Sequence, residues 1–169
     1  MKIVLREWEK EDIEALLKLA NNRKVSDNLR DRFPYPYTRE DAEAWLAINE
    51  NNPEHKSFVI EVDGLFTGGC GIFPRDDVYR LSAEIGYWIG EPYWGKGIAT
   101  ETIRQLLEKA KIFYPQMVRI FAEVFEHNKH SMKALEKNGF YLESIRKKAV
   151  VKNGKILSDY VWVKLLEEK

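Results

Sequence analysis

The chain has 169 residues, 44% of them hydrophobic, which is enough for one domain with a buried core. Its 27 Lys and Arg residues equal its 27 Asp and Glu residues, so no global field favours nucleic acid or an anionic membrane. The single cysteine excludes an internal disulfide. Because no linker or repeat divides the chain and no apolar run suits a signal peptide or a membrane span, we expect one cytoplasmic domain over residues 1–169.

The first part of the chain predicts one strand followed by two helices. A short strand is expected over Lys2–Leu5. From Glu11 onward, apolar residues that begin with Ile13 fall at helical spacing. A pair of asparagines that starts at Asn21 would stop this first helix. Two prolines keep residues 33–37 extended, and Thr38 then caps the second helix.

Three strands are predicted next, the first two of them antiparallel. Ser57–Val62 and Leu65–Phe73 flank an Asp-Gly pair, which permits the positive backbone angles of a tight hairpin turn. The third strand, Leu81–Ile89, alternates between apolar residues on one face and Glu84, Gly86 and Trp88 on the other. Glu84 is therefore expected to point away from the apolar face.

The second half of the chain predicts two helices and three strands. A helix follows a glycine-rich turn and ends before Pro115, and a strand is expected next over Val118–Val124. A short helix over Ser131–Lys137 comes after it. The last two strands, Tyr141–Val151 and Lys155–Leu165, are joined by an Asn-Gly turn. The complete order of about seven strands and about four helices predicts an α+β fold with helices packed around a mixed sheet.

The stretch Tyr93–Thr100 places two glycines at a turn from a strand into a helix. The first N–H groups of a helix lack internal acceptors and carry partial positive charge, so they attract an anion. Gly95 and Gly97 leave room for a phosphate oxygen to approach those groups, and we infer a pyrophosphate as the ligand. A helix entry with flexible glycines is the alternative. A P-loop is disfavoured because Gly97 stands where its Mg²⁺-binding hydroxyl is needed.

Four stretches form a combined pattern: Glu84–Ile89, Tyr93–Glu101, Asn128–Ser131 and Glu136–Phe140. This pattern resembles the GNAT superfamily of acyl-CoA-dependent N-acetyltransferases, and most closely the branch that includes the Rim-type ribosomal-protein N-terminal acetyltransferases. The superfamily has a motif with three defined positions: Arg or Gln, then Gly after two residues, then Gly or Ala after one more. These positions map onto Trp94, Gly97 and Ala99, and Trp94 departs from the usual first residue. The resemblance implies a GNAT-like sheet that is mixed but mainly antiparallel.

The resemblance also implies acetyl-CoA as the cosubstrate. Its pyrophosphate would lie on a backbone cradle formed by Gly95, Lys96, Gly97, Ile98, Ala99 and Thr100. Its pantetheine arm would pair with the backbone near Trp88 and Ile89, where the two middle strands splay apart in this family. Asn128 would either hold the arm or its acetyl end, cap the short helix, or do both. The three histidines lack metal-ligand spacing with cysteine or carboxylates, so we expect no metal.

Amine attack on a thioester needs a proton acceptor, and Glu84 is the residue that the resemblance implies. Partial burial beside Trp88 would make its carboxylate a better base, whereas a solvated glutamate on an exposed strand face is the alternative. Many superfamily members protonate the leaving thiolate with a tyrosine, but the matching residue here is Leu135. The Rim-type resemblance suggests Ser131 as the substitute acid, and an ordinary helical serine is the alternative.

The acceptor is less closely defined by the sequence. Phe33, Tyr35 and Tyr37 precede the second helix, where the family builds one wall of the acceptor pocket; otherwise they are core aromatics. We expect a primary amine that attacks directly in a ternary complex, either a protein N-terminus or a small molecule, and no nucleic-acid or membrane partner. The C-terminal hairpin offers strands for pairing in a homodimer. A non-catalytic acyl-CoA-binding or regulatory module of the same fold is the alternative function.

Overall fold

The computed structural model describes residues 1–50, 52 and 54–167. The strands in these residues are β1 (Ile3–Arg6), β2 (Lys56–Val62), β3 (Leu65–Pro74), β4 (Ser82–Ile89), β5 (Arg119–Phe125), β6 (Tyr141–Lys152) and β7 (Lys155–Leu165). The α-helices are α1 (Ile13–Ala20), α2 (Arg23–Ser26), α3 (Arg39–Glu50), α4 (Ile98–Phe113) and α5 (Lys129–Lys137). None of these helices has the length and apolarity needed to cross a membrane.

The strands form one seven-stranded sheet in the order β1-β2-β3-β4-β5-β7-β6. Neighbouring strands in the described chain run antiparallel except β4 and β5, which are parallel and are connected through α4. The predicted α+β fold, with a mixed but mainly antiparallel sheet of about seven strands, is confirmed. Both predicted hairpin turns are present, since Gly64 has a φ of 83° and Gly154 has a φ of 74°.

The helix α2 was not predicted from the sequence. Asn21 ends α1 as expected, but the Asn22 side chain accepts hydrogen bonds from the N–H groups of Lys24 and Val25 and so begins a second helix at once. Two adjacent asparagines therefore serve as a stop and a start. The predicted cap of α3 is confirmed, because Thr38 Oγ1 accepts from the Asp41 N–H at 3.3 Å.

The core lies on both faces of the sheet, and β4 separates the two halves. Ala83 and Ile85 face α4 and α5 and belong to the cluster that contains Ile103 and Leu106. Trp88 instead packs with the cluster under α1 and α3. The alternation of β4 thus places Glu84, Gly86 and Trp88 on the α1 and α3 side, as the sequence predicts.

The sheet opens in its middle, between β4 and β5. Their ladder has three residue pairs and ends at Glu84 and Phe121, yet β4 continues to Ile89 and β5 to Phe125. Beyond Glu84 the two strands diverge and leave a gap that runs through the sheet. We call this opening the strand gap. The functional site is built around it.

Candidate active site

The strand gap opens into one continuous groove with a volume of about 1630 Å³. The groove is lined by the cradle and α5 on one side and by the segment before α3 on the other. Glu84, Asn128 and Ser131 all line it, as do the residues of the predicted cradle. Among the described residues, no three His, Cys, Asp or Glu side chains come together as a metal site.

The cradle lies at the turn into α4. Gly97 is the N-cap of this helix with a φ of 77°, and Gly95 has a φ of 74°, both in the left-handed region that favours glycine. A Cβ at either position would meet no protein atom within 4 Å, so the space in front of the turn is open. Glu101 N–H donates to the Gly97 carbonyl at 3.3 Å, and the N–H groups before it precede the first bond of the helix. The turn therefore fits a phosphate group.

The backbone along the strand gap is set by the pairing of β4 with β3. Gly90 N–H donates to the Thr67 carbonyl of β3 at 2.8 Å. Successive residues of a strand direct their N–H and C=O groups to opposite sides, so the backbone groups of Trp88 point to β3 and those of Ile89 point into the gap. Of the two residues predicted to pair with a pantetheine arm, Ile89 is the better placed. The Trp94 indole N–H donates to the Ile89 carbonyl at 2.7 Å, and a carbonyl oxygen accepts two such bonds.

Asn128 and Ser131 lie at the start of α5 beside the strand gap. Asn128 Oδ1 accepts from the Ser131 N–H at 3.3 Å, which confirms the helix-capping role and leaves the amide NH₂ group to act as a donor. The Ser131 hydroxyl lies 2.6 Å from the Tyr87 hydroxyl. Leu135, which stands at the usual tyrosine position, is fully buried in the core.

Tyr87 is a site residue that the sequence did not reveal. It lies on β4 and shares a face with Ile85 and Ile89, so its alternation pattern indicates a core residue. Burial raises the pKa of the Tyr87 phenol, although its hydrogen bond to Ser131 opposes the shift. The phenol thus stays protonated and is suited to donate its hydrogen to the Ser131 oxygen. The Ser131 hydrogen is then available to another acceptor.

The Glu84 carboxylate is bound by two guanidinium groups, which the sequence did not predict. Arg30 Nη2 donates to Glu84 Oε1 at 2.6 Å, and Arg75 Nη2 donates to Oε2 at 2.9 Å. The Glu84 side chain is only 13% exposed, so it is also not the solvated glutamate of the alternative interpretation. Both carboxylate oxygens of Glu84 thus accept a hydrogen bond from a guanidinium group, which holds the side chain in place.

A second carboxylate, Glu123 of β5, faces Glu84 across the end of the strand gap. Arg30 Nη2 donates to Glu123 Oε2 at 2.7 Å, and Arg146 Nη2 lies 2.9 Å from the same oxygen. Arg146 also pairs with the buried carboxylate of Asp159. Burial lowers the pKa of Arg30, but Glu84 and Glu123 together raise it above its ordinary value. Arg30 therefore stays charged between two carboxylates.

The predicted substrate aromatics divide between two environments. Phe33 and Tyr37 line the groove, with their ring centroids 5.0 Å apart, and Phe33 packs edge-on against Trp88 at 5.2 Å. Tyr35 lies outside the groove: it is 48% exposed and its ring contacts the Arg23 guanidinium at 5.9 Å. Of the three predicted wall residues, Tyr35 is therefore the one that does not line the groove.

An open turn with two glycines lies beside a gap in the sheet, and a carboxylate lies at the closed end of that gap. This is the arrangement that the resemblance to acyl-CoA-dependent transferases implies. Comparison with known proteins agrees. Residues 2–141 match the family described as Acetyltransferase (GNAT) domain, and the chain belongs to this family. It is an acetyl-CoA-dependent N-acetyltransferase, which confirms the resemblance found in the sequence.

Similar proteins span almost the whole chain. An uncharacterized N-acetyltransferase, p20 of Bacillus licheniformis, is 26% identical over 99% of this chain and 94% of its own length. The L-amino acid N-acetyltransferase AaaT of Escherichia coli (strain K12) is 26% identical over 94% of this chain and 95% of its own. RimL, a ribosomal-protein alpha-N-acetyltransferase solved with coenzyme A, superposes with a TM-score of 0.85 at 21% identity, covering 98% of this chain and 95% of its own.

Proposed function

We propose that this chain, acting as a single acyltransferase domain over residues 1–169, transfers an acetyl group from acetyl-CoA to a primary amine held in the same groove. The observation that carries this proposal is the meeting of three parts around the strand gap. The cradle offers N–H donors to a diphosphate, Ile89 offers backbone to the arm, and Glu84 stands at the closed end. Direct attack then joins the amine nitrogen to the acetyl carbon as the carbon–sulfur bond breaks.

Glu84 is proposed as the proton acceptor. An amine loses a proton as it forms the amide, and a charged carboxylate within reach, directly or through one water, can take it. Glu84 lies where the strand gap closes, at the last residue pair between β4 and β5, and it is held there by Arg30 and Arg75. Its position is fixed by two ion pairs, so the carboxylate is presented to the groove in one orientation.

Ser131 is proposed to assist the leaving thiolate. The Tyr87 and Ser131 hydroxyls lie 2.6 Å apart. With Tyr87 as the donor in this pair, the Ser131 hydrogen would be free to reach the leaving sulfur. A thiol with a pKa of about 8.5 departs as a thiolate with modest help. A single hydrogen bond from Ser131 is therefore sufficient, and the absence of the usual tyrosine at Leu135 does not prevent turnover.

The cofactor and acceptor contacts that complete the proposal lie on opposite sides of the sheet. Gly95 to Thr100, Ile89 and the Asn128 amide would bind acetyl-CoA on the α4 and α5 side. Phe33 and Tyr37 would form part of the acceptor wall on the α1 and α3 side. Similarity to AaaT and RimL favours an acceptor that carries an α-amine, free or at a protein N-terminus.

Two further properties belong to this proposal. A cytoplasmic location follows from the expected need for acetyl-CoA. A homodimer would use β6, which is the edge strand of the sheet and is exposed along most of its length. Sedimentation of the purified protein at several concentrations tests the dimer: a monomer at every concentration would remove it.

The experiment that tests the proposed function is a thiol-release assay with acetyl-CoA and a panel of amines, amino acids, polyamines and N-terminal peptides. An acetyltransferase releases one free thiol for each acetylated amine formed. The alternative, a non-catalytic acyl-CoA-binding module, binds coenzyme A in calorimetry but releases no thiol above the uncatalysed rate. Glu84 held at the end of the strand gap favours the enzyme.

A further inference from the structure

The cofactor side of the groove carries an excess of positive charge. Among the described residues of the cradle and α5 that line the groove, Lys96, Lys133 and Lys137 are cations and none is an acid. The acids that line the groove belong to other parts of the chain, and they are Asp31, Asp41, Glu84, Glu123 and Asp159. Because the chain as a whole has no net charge, the excess beside the cradle is local and suits an anionic ligand.

Two lysines of α5 are free to bind such a ligand. Lys133 and Lys137 are exposed and four residues apart, so they lie on one face of the helix, about 6 Å apart along its axis. We call this the lysine face. In the described part of the chain neither lysine forms an ion pair, whereas Arg104 of α4 pairs with Glu101. A cation in the last turn of a helix stabilises that helix, which accounts for Lys137 but not for Lys133.

The lysine face lies next to the cradle. Asn138, the residue after Lys137, donates its side-chain N–H groups to the Thr100 carbonyl at 3.0 Å and to the Ala134 carbonyl at 2.9 Å. The end of α5 is thereby tied to the last residue of the cradle. A ligand whose diphosphate lies on the cradle and which extends along α5 would therefore meet the two lysines.

The side chains of the cradle offer less positive charge than α5 does. Trp94 stands where the superfamily motif has Arg or Gln, and its indole N–H already donates to the Ile89 carbonyl. Lys96 is the cation of the cradle, and its ammonium lies over the Tyr93 ring, 5.4 Å from the ring centroid. The lysine face thus supplies two of the three cations that line this side of the groove.

We propose that the lysine face binds the phosphate monoester on the ribose of coenzyme A, so that this chain prefers coenzyme A to its dephospho form. The inference rests on the proposed binding of the diphosphate by the cradle and adds a second phosphate site beside it. A phosphate monoester carries a charge of about −1.5 to −2 at neutral pH. Two ammonium groups on successive turns of one helix can both reach such a group.

The test compares the binding of coenzyme A and dephospho-coenzyme A by isothermal calorimetry. The two ligands differ only in the monoester, so the contribution of the cradle cancels in the ratio of their Kd values. One exposed ion pair changes a Kd by about 1.4- to 5-fold, so two lysines predict a ratio of roughly 2 to 25 in favour of coenzyme A. The ratio should decrease as salt is added, because exposed charges are screened.

Variants on α5 test the two lysines. Lys133→Met and Lys137→Met should each lower the ratio, and the double variant should bring it close to one without changing the Kd for dephospho-coenzyme A. Lys129→Met is the matched control: it removes the same charge from the same helix, but Lys129 does not line the groove, and its ammonium lies over the Tyr160 ring at 4.9 Å. The control should keep the wild-type ratio. Thermal melting reports separately whether each variant is folded.

Each outcome decides between the claims. If neither ligand binds, the cradle and the lysine face both fail. If both ligands bind the wild type with the same Kd, the cradle stands and the lysine face is wrong. If the preference survives in the double variant, or if Lys129→Met lowers it equally, the assignment to Lys133 and Lys137 is overturned. Failure of the proposed acetyl transfer is seen separately, as binding of coenzyme A without release of thiol.

Discussion

Replacing Gly97 with valine separates its role in folding from its role in binding. The substitution should lower the stability of the fold and weaken the binding of coenzyme A, and each effect has a structural cause. The backbone φ of 77° is strained for any residue with a side chain, at a cost of about 1–3 kcal/mol in the free energy of unfolding. At roughly 2–4 °C per kcal/mol for a chain of this size, the melting temperature should fall by about 2–12 °C. The protein itself offers no clash, since a Cβ there meets no atom within 4 Å.

The binding effect should be larger and specific to coenzyme A. The valine side chain would occupy the open space in front of the cradle and push an anion away from its N–H donors. Loss of one charge-assisted hydrogen bond is worth about 1.5–3 kcal/mol, which corresponds to a Kd weakened roughly 10- to 150-fold. Isothermal calorimetry with coenzyme A measures this Kd directly, and differential scanning calorimetry measures the melting temperature.

The chain offers a matched control for this substitution. Gly64 has a φ of 83° and, like Gly97, has no protein atom within 4 Å of the place where a Cβ would stand, but it lies in the β2–β3 hairpin turn. Gly64→Val should therefore lower the melting temperature by a similar amount and leave the Kd for coenzyme A unchanged. Equal loss of affinity in both variants, or wild-type affinity in Gly97→Val, would refute the cradle.

Three further substitutions test the remaining parts of the site. Glu84→Gln should lower kcat/KM by roughly 100- to 10,000-fold at neutral pH, with the deficit shrinking as rising pH delivers more unprotonated amine; parallel pH profiles for the variant and the wild type would remove Glu84 as the base. Ser131→Ala should lower kcat roughly tenfold with an unchanged KM for acetyl-CoA, and wild-type turnover would exclude the serine. Gly86 lines the groove, and a Cβ there would meet the Phe73 ring at 3.5 Å, an ordinary contact distance. Gly86→Leu should therefore fill this part of the groove and raise the acceptor KM at least about tenfold while leaving coenzyme A affinity intact; an unchanged acceptor KM would place the acceptor elsewhere.

Features that depend on neighbouring residues were predictable from the sequence. The alternation of β4 placed Glu84 on the correct face, and the two glycines of the cradle indicated both the turn and the left-handed backbone that Gly97 adopts. The hairpin turns at Gly64 and Gly154 followed from their Asp-Gly and Asn-Gly pairs. Such signals are local, because turn geometry and strand period act over a few residues.

Features that depend on contacts between distant residues were not predictable. Arg30 and Glu84 are 54 residues apart, and no local pattern indicates that one will bind the other. Ser131 and Tyr87 are 44 residues apart, and the periodicity of β4 marks Tyr87 only as a core residue. Packing of the sheet against its helices creates both pairs. For this reason the sequence did not predict the two guanidinium groups that bind Glu84.

The strand gap depends both on local strand patterns and on contacts between distant residues. Its position follows from a parallel β4–β5 ladder of three residue pairs, which the sequence cannot specify because both strands continue as regular β patterns beyond it. Only the resemblance to known acetyltransferases indicated a gap near Ile89. In the structure the Trp94 indole N–H donates to the Ile89 carbonyl. The sequence showed that Trp94 departs from the superfamily motif, but it did not predict this hydrogen bond.

The most direct test of the account is the stoichiometry of thiol release in the presence of acetyl-CoA and the panel of primary amines. We predict one thiol and one N-acetylated product for each turnover, with both lost together in Glu84→Gln at neutral pH. Tight binding of coenzyme A without release of thiol, for every amine offered, would contradict the assignment of this chain as an acetyltransferase that works through its strand gap.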